Sequence, residues 1–344
     1  MKATYRRHLL EFKRPSGTSR GVLTTKETWF IIINSEGKTG IGECGLLRSL
    51  SIDDKPDYEK KLAWVCENIS LGAEALWGQL LEFPSLQFGV EMAFRSLEAS
   101  TPFLLHPSGF TKGHDSIPIN GLVWMGEKSF MKEQILDKIK NGFKCIKLKI
   151  GAIDFNAELD LLKFIRSGFS SEEIEIRVDA NGAFSPEEAF IKLERLSKFN
   201  IHSIEQPIKQ GQLDEMARLC EVAPVPIALD EELIGVTGVT YKRKLLQTIN
   251  PQYIIFKPSL IGGYRGTEEW LQLANEMNID WWATSALESN VGLNAISQWT
   301  YTKKSQLPQG LGTGGLYTNN FESPLEVKNG TITYNPETPW GFNL

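Results

Sequence analysis

The sequence predicts an α/β protein in which a β/α barrel follows an α+β unit, and three observations lead there. From residue 117 onward the chain runs as short β-branched stretches, each followed by a polar turn and a longer amphipathic segment, the texture of alternating strands and helices. The starts of those stretches recur every roughly 25 to 30 residues, the length of one strand, one helix and two loops in a (β/α)8 barrel. Ionisable residues close almost every stretch, at the ends where a parallel barrel gathers its active site.

In chain order, residues 28–34 (TWFIIIN) form a strand-like run, Ser35, Glu36 and Gly37 make a turn, and a second run reaches Glu43, so a hairpin opens the fold. Apolar residues at helical spacing over 54–72 and 86–99 predict two or three helices packed on it, and 106–115 reads as a linker. The expected barrel strands are 117–123, 145–150, 174–179, 201–205, 226–230, 253–257, 280–285 and 307–311. Beyond Gly315, Tyr317, Phe321 and a strand-like 331–334 return to the first unit. The expected division is an α+β unit over 1–115, completed by 316–344, and a barrel over 116–315.

Composition narrows the function classes. The 344 residues carry 42 Asp+Glu against 37 Lys+Arg, with no basic block interleaved with aromatics, so nucleic acid is not an expected partner. The first fifteen residues are charged throughout and lack a signal-peptide core, and the apolar run at 29–33 is far short of a membrane span. A cytoplasmic protein that does not engage membranes is expected. Cys44, Cys66, Cys145 and Cys220 are scattered without metal or disulfide spacing. Lys26, Glu27 and Arg48 read as solvated loop charges.

The chemistry sits at the strand ends. The second strand ends in Lys147-Leu148-Lys149, the third in Arg177-Val178-Asp179-Ala180-Asn181, the fourth in Glu205-Gln206-Pro207, the fifth in Asp230-Glu231-Glu232 and the sixth in Lys257-Pro258. Strand periodicity places Lys147 with Lys149, and Arg177 with Asp179 and Asn181, on one side, expected to be the barrel interior. Singly, each motif has an ordinary reading: a solvated edge, a turn, a strand exit, a helix start. Together, three carboxylates on successive strand ends between two lysines are costly to bury unless a cation gathers them. All-oxygen ligands Asp179, Glu205 and Asp230 favour magnesium, with manganese as a substitute, over zinc. A metal so held stabilises the enediolate formed when a proton α to a carboxylate is removed. The base beside that carbon would be a lysine whose ammonium form is disfavoured by like charges, since free lysine titrates near ~10.4. A Schiff-base lysine would leave the carboxylates unexplained.

The order KxK, DAN, EQP, DEE, KP behind an α+β unit resembles the enolase superfamily, and within it the muconate-lactonizing subgroup, over nearly the whole chain. The resemblance implies a modified (β/α)7β barrel whose strand ends are covered by an N-terminal α+β capping domain. It implies Lys149 and Lys257 as the acid/base pair and Asp179, Glu205 and Asp230 as the metal ligands. Arg177, the first-strand segment Asn120-Gly121-Leu122-Val123-Trp124-Met125-Gly126, residues 285–292 (SALESNVG) and 312–320 (GTGGLYTNN) are most similar to one activity of the subgroup. That activity is dehydration of 2-succinyl-6-hydroxy-2,4-cyclohexadiene-1-carboxylate in menaquinone biosynthesis, a small dicarboxylate substrate. On that reading Lys149 acts as base and then acid, and Lys257 stands opposite as a fixed cation. Lys147, Arg177, Asn181, Glu231, Ser285, Gly312 and Thr313 are expected to bind substrate or support those that do. Residues 16–25 would form a lid, with Leu23 or Arg20 as contacts.

Rival activities of the subgroup share the catalytic residues: N-acylamino acid racemase, dipeptide epimerase and muconate cycloisomerase. Dipeptide epimerases carry an acidic DxD pair after the eighth strand for the substrate ammonium, where this chain has Leu311-Gly312-Thr313-Gly314-Gly315. Glycines there leave room and backbone N–H groups for a second carboxylate. A barrel retained only for binding would tolerate loss of a lysine or carboxylate, and none is missing.

Overall fold

The structure, a computed structural model, describes residues 1–18 and 21–344; Arg20, one of the two expected lid contacts, lies outside them. Three antiparallel strands come first, β1 (Lys2–Thr18), β2 (Gly21–Ser35) and β3 (Lys38–Cys44), in the order β1-β2-β3. The expected hairpin is β2 with β3, pairing Trp29 with Cys44 and Ser35 with Lys38. Helices α1 (Tyr58–Glu67), α2 (Ala73–Gly78) and α3 (Pro84–Glu98) cover one face of the sheet. Trp29, Ile31 and Ile33 meet Leu62 and Val65 from α1 and Leu86 and Val90 from α3 in a core of their own. The α3 backbone lies directly on β3. A Cβ at Gly42 would stand 1.9 Å from the Gly89 carbonyl oxygen, and one at Gly89 2.3 Å from Cys44 Sγ, so only glycine permits the approach.

Asp53 anchors the start of α3, accepting from Ser85 N at 2.9 Å and Ser85 Oγ at 2.6 Å. Burial nevertheless pushes its carboxyl up to about 6, against the Ser85 hydrogen bonds that lower it. A carboxyl raised in the folded state contributes stability that is complete below its unfolded value of 3.8 and is lost as pH rises through about 6. Asp53→Asn keeps the acceptor and removes the charge. Urea unfolding at several pH values should show the variant gaining on the wild type between pH 4 and 7, by on the order of 2 kcal/mol. A pH-independent difference would contradict this account.

The second layer is a parallel sheet built from strands and helices in alternation. After β4 (Ser116–Pro118) come β5 (Gly121–Val123), α4 (Lys128–Lys140), β6 (Cys145–Lys149), α5 (Phe155–Gly168), β7 (Glu175–Asp179), α6 (Pro186–Ser197), β8 (Ser203–Glu205) and α7 (Leu213–Val222). Then follow β9 (Ile227–Leu229), α8 (Val239–Ile249), β10 (Tyr253–Phe256), α9 (Gly263–Met277), β11 (Asp280–Ala283) and α10 (Asn290–Thr302). The sheet order is β11-β10-β9-β8-β7-β6-β5. Both faces are buried, as parallel sheets require. Ile146, Leu148, Ile176, Val178, Ile204 and Ile254 face the helices in the main core, whereas Ala228, Ile255 and Trp282 form a small cluster on the inner side.

The structure corrects the first and eighth strands. The expected 117–123 divides: β4 pairs antiparallel with β13 (Thr331–Tyr334), and only β5 joins β6. The expected 307–311 is reduced to two bridging residues, Gln309 and Gly310, between Pro308 and Leu311. Gln309 exchanges hydrogen bonds with Pro118 O (2.8 Å) and Asn120 N (2.9 Å), and Gly310 with Ala283 O (2.7 Å) and Ser285 N (3.1 Å). These few bonds join the first strand to the seventh and close the curled sheet.

The chain after the barrel divides its contacts. Tyr317 bridges Phe12, Thr318 N donates to Glu11 O at 2.9 Å, and Phe321 and Phe342 pack on Phe30 of β2. Strand β12 (Leu325–Lys328) pairs with β13, which pairs with β4 rather than with the first sheet, correcting the expectation for 331–334. Among the described residues no helix is long and apolar enough to cross a membrane.

Candidate active site

Parallel register aligns the site. Lys149 lies opposite Asp179, and Asp179 opposite Glu205, so three of the expected residues form one row across β6, β7 and β8. Lys147, Arg177 and Ser203 form the row beneath. Asp230 and Lys257 follow the last residues of β9 and β10. In a ring of eight, β6 and β10 are four strands apart, so Lys149 and Lys257 rise from opposite walls.

The ionised groups interlock. Lys147 donates to Glu205 and sits 3.0 Å from Asp179 Oδ2. Lys149 Nζ donates to Asp179 Oδ2 at 3.0 Å and to Asn181 Oδ1 at 2.7 Å, and Lys257 donates to Asp230. Burial works to raise Asp179, but the ammonium charges of Lys147, Lys149 and Lys257 override it and hold the carboxyl far below its usual range. Burial pushes Glu205 well up, reinforced by the neighbouring charges of Asp179 and Asp230. Burial opposes the charge on Lys147 and Lys257, yet the facing carboxylates raise both, Asp179 and Glu205 for the first, Asp230 for the second.

Two left-handed residues turn the strand ends. Asn181 (φ 44°) and Gln206 (φ 41°) adopt a conformation costly for non-glycine residues, so their surroundings must hold them there. Asn181 N donates to Asp179 Oδ1 at 3.0 Å, and its amide to Glu231 Oε1 at 3.2 Å. Gln206, unassigned from sequence although it lies within the EQP motif, braces the next exit by donating to Glu232 Oε2 (3.0 Å) and Ile208 O (3.1 Å).

A cavity of about 260 Å³ opens over these groups. Lys147, Lys149, Asp179, Asn181, Glu231 and Lys257 line its floor, with Ser285, Gly312 and Thr313 among its walls, and Leu23, Leu47 and Arg48 reach it from the first unit. Leu23 thus stands where a lid contact was expected. Glu205 and Asp230 lie beneath, buried and reached only through their lysine partners. Arg177 is interior but does not line the cavity. Its guanidinium points down the barrel, donating to Glu175 Oε1 (2.7 Å) and Pro308 O (2.8 Å) over the Trp282 ring. The Ser285 hydroxyl is already given to Glu288 Oε2 at 2.6 Å. Asn120 Oδ1, Thr284 Oγ1 and Thr313 Oγ1, from residues that line the cavity, are buried without hydrogen-bond partners among the described residues, offering polar atoms to a ligand.

The donor set of Asp179, Glu205 and Asp230 has the all-oxygen chemistry that a hard cation prefers, and Glu205 Oε1 is buried without a hydrogen-bond partner among the described residues. As they stand, with lysine ammoniums inserted among them, no three acidic, histidine or cysteine side chains among the described residues are arranged to hold an ion.

The family model described as enolase C-terminal domain-like matches residues 131–343. An o-succinylbenzoate synthase of Desulfotalea psychrophila is 47% identical, the alignment covering 96% of this chain and 98% of the relative. The crystal structure of MenC from Desulfotalea psychrophila LSv54 has a TM-score of 0.86 at 44% identity, over 97% of this chain and 99% of that one. The N-succinylamino acid racemase of Thermus thermophilus is 28% identical over 92% of this chain and 86% of its own. Muconate lactonizing enzyme from Pseudomonas fluorescens, solved with muconolactone, shares the fold at 18% identity and TM-score 0.82, over 98% and 96%. With its antiparallel cap, its curled parallel sheet and its row of lysines and carboxylates, the chain belongs to the enolase superfamily, in the enolase C-terminal domain-like family.

Proposed function

We propose that this protein dehydrates 2-succinyl-6-hydroxy-2,4-cyclohexadiene-1-carboxylate to o-succinylbenzoate, a step of menaquinone biosynthesis, with magnesium at Asp179, Glu205 and Asp230. The supporting observation is that Lys149 and Lys257 face one cavity from opposite walls in a chain 47% identical, nearly end to end, to an o-succinylbenzoate synthase. A bound divalent ion supplies electrostatic stabilisation of the charge that develops on the substrate carboxylate. Lys149, as the free amine, takes the proton α to that carboxylate. Its ammonium then protonates the departing hydroxyl, so one C–H and one C–O bond break, water leaves, and the ring becomes aromatic. Lys257 contributes its charge from the far wall without transferring a proton. The amines this chemistry needs are the ones now paired with ligand carboxylates, Lys149 with Asp179 and Lys257 with Asp230. Neutralising those carboxylates removes the attraction that holds both amines.

Asn120, Thr284 and Thr313 offer unpartnered polar atoms to the succinyl arm. Gly310 leaves room beside them, since a Cβ there would stand 2.3 Å from Thr284 Oγ1. Turnover of the cyclohexadiene substrate with magnesium, followed by the absorbance of the aromatic product, tests the assignment. A folded, metal-loaded protein that forms no product would sink it. Racemisation of an N-succinylamino acid is the second reading, favoured by the opposed lysines, because a racemase delivers protons from both faces. Lys257→Arg keeps the charge and loses the proton carrier. It should lower racemisation by about 10² and dehydration by less than about tenfold. Equal losses would give Lys257 a proton-transfer role in both.

A further inference from the structure

Where the cap meets the barrel, two fully buried carboxylates and a buried lysine stand outside the chemistry derived above. Glu43, at the end of β3, accepts from Ser289 N (2.9 Å), Ser289 Oγ (2.5 Å) and Gly292 N (2.7 Å), so a cap carboxylate closes the start of α10. Glu288 accepts from Ser259 Oγ and, at 2.6 Å, from Ser285 Oγ. Ser259 lies in the short turn that follows Lys257, and Ser285 lines the cavity. Lys26, expected in a solvated loop, is instead only 4% exposed on β2. Among the described residues its ammonium has no hydrogen-bond partner. Strand alternation puts it on the same side of β2 as Thr28, whose hydroxyl donates to Glu43 Oε1 at 2.8 Å, and a Cβ at Gly292 would stand 2.9 Å from both Glu43 Oε2 and Glu288 Cγ, so the lysine and the two carboxylates share one buried region. The cap also presses on Glu288 directly: a Cβ at Gly45 would stand 2.9 Å from Glu288 Cγ and 3.4 Å from Ser259 Cβ.

We propose that Lys26 and Glu288 are positioning residues that make the barrel site depend on the seating of the cap. The Lys26 charge, carried by the cap, holds the Glu288 carboxylate, and Glu288 orients Ser259 and Ser285, hence the turn after Lys257 and one wall of the cavity. A buried ammonium and a buried carboxylate are each unfavourable alone, and they offset one another only together. A small misplacement at such a distance from the chemistry can lower a rate by about 10²-fold. The kinetic half of this inference rests on the dehydration proposed above; the coupling of the two charges does not.

Lys26→Met, Glu288→Gln and the double variant, magnesium-loaded, test it by urea unfolding and by steady-state turnover. Each single variant should unfold at lower urea than the wild type, and the double variant at higher urea than the sum of the two losses predicts. In Lys26→Met kcat should fall by about 10- to 100-fold with KM little changed, and Lys26→Arg should recover most of it. Gly45→Ala, which displaces Glu288 without altering any charge, should lower kcat in the same way. Additive losses in urea would overturn the charge coupling, and an unchanged kcat in Lys26→Met and Gly45→Ala would overturn the positioning role. A wild type that forms no aromatic product would remove the dehydration reading, while the urea cycle would still decide whether the two charges are coupled.

Discussion

Lys149→Ala is expected to lower kcat for dehydration by about 10⁴-fold while leaving divalent-metal binding intact. The magnitude is at the upper end for one acid–base group because, in the proposed reaction, the same amine would serve both proton transfers, as base and then as acid. Its geometry suits that use. Lys149 contacts Asp179 and Asn181 while facing the cavity, whereas Lys147 is buried between Asp179 and Glu205. Removal of Lys149 leaves all three carboxylates in place and removes one ammonium that competes with a cation for Asp179. Calorimetric titration should therefore find magnesium affinity equal to the wild type or tighter, and exchange of the α-proton with deuterated solvent should disappear with turnover. A variant that retains a tenth of the wild-type rate would exclude Lys149 as the base.

The strand-end constellation was legible in the sequence because two periodicities coincide there. Alternation along CIKLK and EIRVD sends Ile146, Leu148, Ile176 and Val178 to the helices, which leaves Lys147, Lys149, Arg177 and Asp179 nowhere to point but inward. Direction along the barrel axis is not encoded in that alternation. Arg177 has the inward phase of Asp179, yet its long side chain turns toward Glu175 and Pro308 instead of the cavity. Strand β1 escaped notice for a different reason. It is an edge strand whose residues are largely exposed, so it lacks an apolar pattern, and its pairing with β2 resides in backbone bonds. The eighth barrel strand has the opposite defect, since its pattern suggested five residues but only Gln309 and Gly310 make bridges. The group of Lys26, Glu43 and Glu288 was invisible because Glu43 and its partner Ser289 are 246 residues apart, and nothing local marks Lys26 as buried.

Glu205→Gln should weaken divalent-metal binding by more than about 100-fold, since it alters a proposed ligand and not merely a group that orients one. It should lower kcat/KM by about 10³-fold. Its effect on stability should change sign with the metal. Without metal, Glu205 is a buried carboxylate beside Asp179 and Asp230, with Oε1 unpartnered and burial disfavouring its charge. Neutral glutamine relieves that repulsion, and Lys147 keeps its contact with Asp179 at 3.0 Å, so the metal-free variant should be at least as stable as the wild type. With magnesium at a hundred times its dissociation constant, the wild type should gain about 2.7 kcal/mol through linkage, and the variant almost none. Thermal unfolding with EDTA and with excess magnesium reads both effects in one experiment. If the variant gains as much from magnesium as the wild type does, Glu205 is not a ligand, and the orphaned oxygen beneath the cavity floor must be explained by something other than a cation.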